Sequence, residues 1–314
     1  MDIDIGEIPE IISKARPNLK HNSVKQYEAQ LRKLRNIFKS DNYDFLKKPE
    51  KVKDNIQELH FTSQRNIYNA IVILLMALNS DKEYDKLIQT YGEMRDELNN
   101  KYEQEQKSGV ISDKQKANFV DMSEIESMIS QLRSQVMPLK KNNKLTKMDI
   151  STIRAWVLFN MLSRIPTRND ASNLLYITQK AYKRLTDEEK QKNNYLVDER
   201  NNMKFIYNVY KTSKKYGENI ISVPADLKPI MRTYIKLMDY KTGDNIMPMS
   251  RNAISQLLLK TSKKLIGKSI SSTMIRKSYL SSKYGDMKEE MKEDAKMMGH
   301  SVATAQKVYT KNSE

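Results

Sequence analysis

Cysteine is absent from the 314 residues, histidine occurs three times, and glycine and proline number only eight each. Without thiols the chain has no disulfide, no thiolate metal site and no cysteine nucleophile, a composition that suits a reducing compartment. Three histidines are too few to anticipate a zinc centre, and no metal or other cofactor is expected. Long apolar runs are missing as well. The longest, Ala70 to Leu78, is far shorter than the roughly 20 residues of a membrane span, so no membrane contact is expected. The opening Met1-Asp2-Ile3-Asp4 is acidic, unlike a signal or transit peptide. The expected location is therefore intracellular, in cytoplasm or a host nucleus. Neither a glycine-rich phosphate loop nor a paired-carboxylate cluster is present to support nucleotide or glycosidase chemistry.

What the chain has is positive charge, unevenly placed. It carries 55 Lys and Arg against 39 Asp and Glu, a net charge of +16. Residues 1–108 hold 18 of each sign, so the remaining residues hold 37 basic against 21 acidic side chains. A basic segment joined to a neutral one points to a polyanion, because release of condensed counterions drives such binding. A Lys-rich solvated surface is the plainer alternative.

The length allows two domains, and the pattern breaks once, around Ser108 to Lys116. The expected organisation is a helical domain over 1–108, a linker over 109–117 and a second domain over 118–314. In the first, Ser23 is expected as an N-cap with Gln26 completing a capping box, followed by Val24, Tyr27, Leu31, Leu34 and Phe38 at helical spacing. A second helix, Thr62 to Leu78, is apolar nearly all round after Ile67, which suits the centre of a bundle, and a charged third helix covers Asp81 to Gln106. Beyond the linker, helices are expected at about 123–136, 146–162, 169–175, 227–238, 251–265, 273–284 and 286–298. Between them Tyr195 to Val197, Lys204 to Tyr210 and Ile220 to Val223 read as a three-stranded antiparallel sheet, with turn chemistry in the spacers. The fold class is thus mainly α with one small sheet.

Candidate chemistry gathers late in the chain. Gly299 reads alone as a helix C-cap, His300 as an exposed histidine and Tyr309 as a packing aromatic. Together, Met298-Gly299-His300 followed nine residues later by Tyr309 resembles the final block of the tyrosine recombinase (integrase) family. Three more blocks follow the family's order: Pro166-Thr167-Arg168-Asn169-Asp170, then Tyr210-Lys211-Thr212 ahead of Ile220 to Pro224, then Thr273-Met274-Ile275-Arg276. The resemblance covers about residues 118–312, and the Arg-Asn-Asp wording is similar to branches in large DNA viruses, virophages and eukaryotic mobile elements. Arg164, four residues before Arg168, competes for the first arginine position. Arg168 is preferred for the Asn-Asp that follows it.

The resemblance implies a C-shaped clamp on duplex DNA and site-specific strand exchange through a 3′-phosphotyrosyl intermediate, without ATP or metal. It also implies a homotetramer on DNA formed from weakly associated or monomeric protein. In that scheme Arg168 and Arg276 hold the phosphate oxygens, Lys211 protonates the leaving 5′ oxygen with Lys214 and Lys215 as neighbouring alternatives, His300 assists, and Tyr309 attacks. One departure is chemical: the family usually has His or Lys three residues before the second Arg, and here that residue is Thr273, which cannot shuttle a proton near neutral pH. Lys277, His300 or water would have to serve. Another is length, since five residues follow Tyr309 where many relatives carry a docking helix. The rival readings are a type IB topoisomerase or telomere-resolvase-like enzyme with the same Arg, Lys and Tyr set, and a DNA-binding relative with impaired catalysis.

Overall fold

The computed structural model describes residues 6–108, 116–142, 144–199 and 202–297. His300, Tyr309 and most of the expected linker lie outside the described residues. The chain divides into two compact units, Met1–Ile111 and Ser112–Glu314.

The first unit is helical: α1 (Ile8–Ala15), α2 (His21–Phe38), α3 (Pro49–Ile56), α4 (Phe61–Leu78) and α5 (Asp85–Ser108). Helix α4 starts where the His60 ring accepts the Thr62 amide, and it buries Ile67, Tyr68 and every residue from Ala70 to Leu75. Helices α1, α2 and α5 pack around it, so α4 is the centre that its all-round apolarity predicts. Tyr91 of α5 is also buried, and its hydroxyl donates to the Leu46 carbonyl at 2.9 Å. Ser23 is not the cap of α2. The helix begins at His21 with Lys20 as N-cap, and the Ser23 amide already bonds the Lys20 carbonyl at 2.8 Å inside the first turn.

The second unit is mainly helical with one sheet. Helix α6 (Met122–Val136) opens on a capping box of Asp121 with Glu124, and α7 (Lys147–Arg164) on one of Thr146 with Asp149. The core surrounds α7, whose residues Ala155 to Ser163 are all buried, Trp156 among them. After it come β1 (Leu174–Thr178), α8 (Gln179–Tyr182), α9 (Asp187–Lys192), β2 (Asn194–Glu199), β3 (Asn202–Tyr207), α10 (Ser213–Tyr216) and β4 (Asn219–Ser222). Helices α11 (Lys228–Leu237), α12 (Arg251–Ile266) and α13 (Ser272–Met297) then pack against α7.

The sheet has four strands in the order β1-β2-β3-β4, with β1 parallel to β2 and the remaining pairs antiparallel. Strand alternation divides its side chains. Leu196, Met203, Phe205 and Tyr207 join the main core, while Tyr195, Val197 and Ile206 pack with Ile177 and Tyr182 on the other face.

Three further expectations are corrected here. The segment expected as a helix at 169–175 is a turn ending at Asn173, which has φ +57°, followed by β1. The β-favouring Tyr176-Ile177-Thr178 pairs with Leu196, Val197 and Asp198, and this non-local pairing decides its form. The sheet is consequently four-stranded and mixed rather than three-stranded and antiparallel. The two helices expected at 273–284 and 286–298 are one helix, α13, continuous through Gly285. A lone helical glycine costs about 1 kcal/mol relative to alanine, which does not end a helix by itself.

Candidate active site

Pro166, just past the end of α7, disfavours further helix at Ile165, and the chain turns through Thr167, Arg168 and Asn169. The turn is anchored from below. Asn169 donates through Nδ2 to the Arg251 carbonyl at 2.9 Å and to Ser255 Oγ at 2.7 Å, and Ser172 Oγ donates to the Met249 carbonyl at 2.7 Å. Asp170 is buried, at 7% exposure, and its carboxylate faces Arg251 Nη2 at 3.3 Å. Burial raises the Asp170 pKa, against the opposing pull of Arg251, Arg168 and Arg276.

Arg276 reaches the same place from the start of α13. Its Nη2 donates to Thr273 Oγ1 at 3.0 Å, one turn back along the helix. Burial lowers its pKa, the Arg168 charge adds to that effect and Asp170 opposes it; a guanidinium nevertheless stays cationic at any working pH. Its buried Nε finds no acceptor among the described residues. A cation with an unmet donor beside a second cation is an arrangement that an anion completes.

Arg168 and Arg276, distant in sequence, line one pocket of about 450 Å³ together with Thr167, Asp170, Tyr210 and Thr212. The last two flank Lys211, which is exposed in the connection between β3 and β4. That connection is closed on itself: the Tyr210 hydroxyl donates to the Gly217 carbonyl at 2.9 Å, and Ser213 Oγ donates to the Tyr210 carbonyl at 3.1 Å. Gly217 sits at φ +68°, ψ −149°, a conformation that suits glycine alone.

The neighbouring cations are sorted by the fold. Arg164 is not in this pocket: its Nε pairs with Asp226 at 2.5 Å, its Nη1 bonds Asn160 Oδ1 at 3.0 Å, and it lines a separate cleft of about 590 Å³ with Trp156 and Ile230. Lys214 lines another hollow with Asp187 and Asn208, and Lys215 lies 5.1 Å from the Tyr216 ring centre. Lys277 is half-buried on α13 and does not line the Arg168–Arg276 pocket. His300 and Tyr309 fall outside the described residues.

Sequence reasoning named neither Arg251 nor the structural part played by Asp170. Arg251 gave no signal, because its neighbours Ser250 and Asn252 read only as the start of a helix. Among the described residues no group of three His, Asp or Glu is placed to hold a metal ion, and no helix is long and apolar enough to cross a membrane. No family profile, curated protein sequence or solved structure matches the chain.

Proposed function

We propose that the chain is a tyrosine recombinase that cuts and rejoins duplex DNA through a covalent 3′-phosphotyrosyl intermediate. The observation that carries this reading is the pocket shared by Arg168 and Arg276, with the Lys211 connection on its rim and a buried guanidinium N–H without a partner. Two arginines lining one hollow are suited to a phosphodiester, whose transition state spreads charge over its nonbridging oxygens.

In the proposed reaction the Tyr309 phenolic oxygen attacks phosphorus and the 5′ oxygen leaves. Arg168 and Arg276 bond the nonbridging oxygens, more strongly as charge develops on them. Lys211 delivers a proton to the departing 5′ oxygen from the connection beside the pocket. His300 takes the Tyr309 proton, or bonds a nonbridging oxygen while water takes that proton. Thr273 orients rather than titrates, since its hydroxyl is occupied in accepting from Arg276. The phosphotyrosyl bond conserves the energy of the broken phosphodiester, so religation needs neither nucleotide nor metal. Duplex DNA is the partner, a tetramer on DNA the working assembly, and the cytoplasm or a host nucleus the setting. A separate helical N-terminal unit supports a recombinase over a type IB topoisomerase or a telomere resolvase.

The test is incubation with a nicked suicide substrate followed by a denaturing gel. A covalent protein–DNA adduct that is lost in Tyr309→Phe is the expected result, and absence of any adduct from wild-type protein removes the reading.

A further inference from the structure

Asn194 is the first residue of β2 and is 4% exposed. Its carboxamide makes four hydrogen bonds. Nδ2 donates to the Asp170 carbonyl at 2.9 Å and to the Val209 carbonyl at 3.1 Å. Oδ1 accepts the amides of Asn208 at 2.9 Å and Val209 at 2.8 Å. Two amides at one end and two carbonyls at the other leave only this orientation of the group.

The position is as informative as the bonding. The ladder between β2 and β3 runs from Glu199↔Asn202 to Tyr195↔Ile206. Past its end, the Asn194 side chain takes the backbone groups that a longer strand would have paired, which is why β3 stops at Tyr207. Asp170 lies two residues after Arg168, and Val209 two residues before Lys211. We infer that Asn194 is a positioning residue: one side chain, held by the central β2, fixes the Lys211 connection against the Arg168 turn.

The two sides are unequally held. The Arg168 turn keeps its anchors through Asn169 and Ser172. The root of the connection has, besides Asn194, the Arg251 Nη2 contact to the Val209 carbonyl at 3.1 Å and the Asn208 Nδ2 bonds to the carbonyls of Lys190 and Asn193 at 2.7 and 3.0 Å. Val209 loses both its amide partner and one of its carbonyl partners if Asn194 is changed. Removing the carboxamide therefore releases Lys211 more than Arg168. In Asn194→Asp the shape survives, but an oxygen faces the two carbonyls that Nδ2 served.

The inference rests on the recombinase reading, and the experiment separates the two. Full-length Asn194→Asp and Asn194→Ser are compared with wild type on an oxygen suicide substrate and on one with a 5′-bridging sulfur, whose leaving group needs no proton. Cleavage of the oxygen substrate is expected to fall about 10²-fold, the scale of a 1 Å misplacement, and to recover to within about threefold of wild type on the sulfur substrate. Arg276→Ala should show no such recovery. Folded variants that cleave the oxygen substrate at the wild-type rate, or that are not rescued by sulfur, overturn the proposal, as does failure of both variants to fold. If wild type forms no adduct with either substrate the recombinase reading falls. Hydrogen exchange then decides the positioning claim, which requires faster exchange at the Asn208 and Val209 amides in the variants and stands refuted if they remain protected.

Discussion

The first unit buries isoleucine, leucine, valine and tyrosine around α4, from Ile8 to Tyr91. Among the described residues, every buried asparagine, aspartate and serine lies in the second unit: Asn160, Ser163, Asp170, Asn194, Ser262, Ser272 and Ser278. The charge divides the same way, with residues 1–108 balanced and the positive excess beyond them. An apolar core gains its stability from area removed from water and tolerates repacking. A core that buries hydrogen-bonded polar groups gains little net stability per bond but fixes orientation, because each unmet group costs about 1–3 kcal/mol. The second unit has such groups at the pocket that gathers Arg168 and Arg276: Asp170 lines it, and Asn194 donates to the Asp170 carbonyl.

The largest effect should come from Tyr309→Phe, with complete loss of the DNA adduct and little change in DNA affinity in a binding assay. A persisting adduct would break the assignment of chemistry to the second unit. Next, Arg276→Ala and Arg168→Ala should each slow single-turnover cleavage about 10²- to 10³-fold, the loss typical of one donor to a developing oxyanion. Arg164→Ala, whose side chain is committed to Asp226 and Asn160, should slow it less than about threefold. Equal losses at Arg164 and Arg168 would erase the distinction between the two arginines.

The apolar unit should respond in stability rather than chemistry. Leu74→Ala, at a fully buried position of α4, should destabilise by about 2–5 kcal/mol in denaturant unfolding, with the cleavage rate of the folded fraction unchanged. Thr273→Val removes the acceptor for Arg276 Nη2 and should slow cleavage several-fold; Thr273→His should give no gain, since Oγ1 orients a guanidinium there rather than carrying a proton. A tenfold acceleration by Thr273→His in a suicide-substrate assay would reverse that view.

The smallest effect concerns pH. Burial raises the Asp170 pKa above its solution value of 3.8, so in the window above 3.8 the folded state holds more protons than the unfolded one. The contribution of this group to stability is then fully present below 3.8 and declines as pH rises through the raised value. Asp170→Asn should remove that decline, seen as a flatter difference curve in unfolding titrations from pH 4 upward. An unchanged slope would mean that the three arginines cancel the burial effect.

Local pattern identified the parts that depend on local pattern. The all-round apolarity of Ile67 to Leu78 marks α4 as a bundle centre, and the mainly helical class follows from such segments, whereas the capping box read at Ser23 is not the start of α2. Arg168, Arg276 and the Lys211-Thr212 stretch between two strands were singled out by the resemblance to the tyrosine recombinase family rather than by local pattern. Local pattern misread 169–175 as a helix and 204–210 as one continuous strand, for a single reason. In the first case pairing with β2, and in the second the carboxamide of Asn194, supplies backbone partners from elsewhere in the chain, and spacing along a segment carries no record of them.

By itself, then, the sequence determined which residues are charged and which faces are apolar, because these are properties of residue type and period. Only the tertiary structure decided which cations share a pocket. Arg164 and Arg168 stand four residues apart with the same guanidinium, yet α7 carries one to Asp226 while the turn after Pro166 delivers the other to Arg276. Convergence of distant segments is set by the packing of α7, α12 and α13 and by hydrogen bonds such as those of Asn169, Asp170 and Asn194, all made across long stretches of chain.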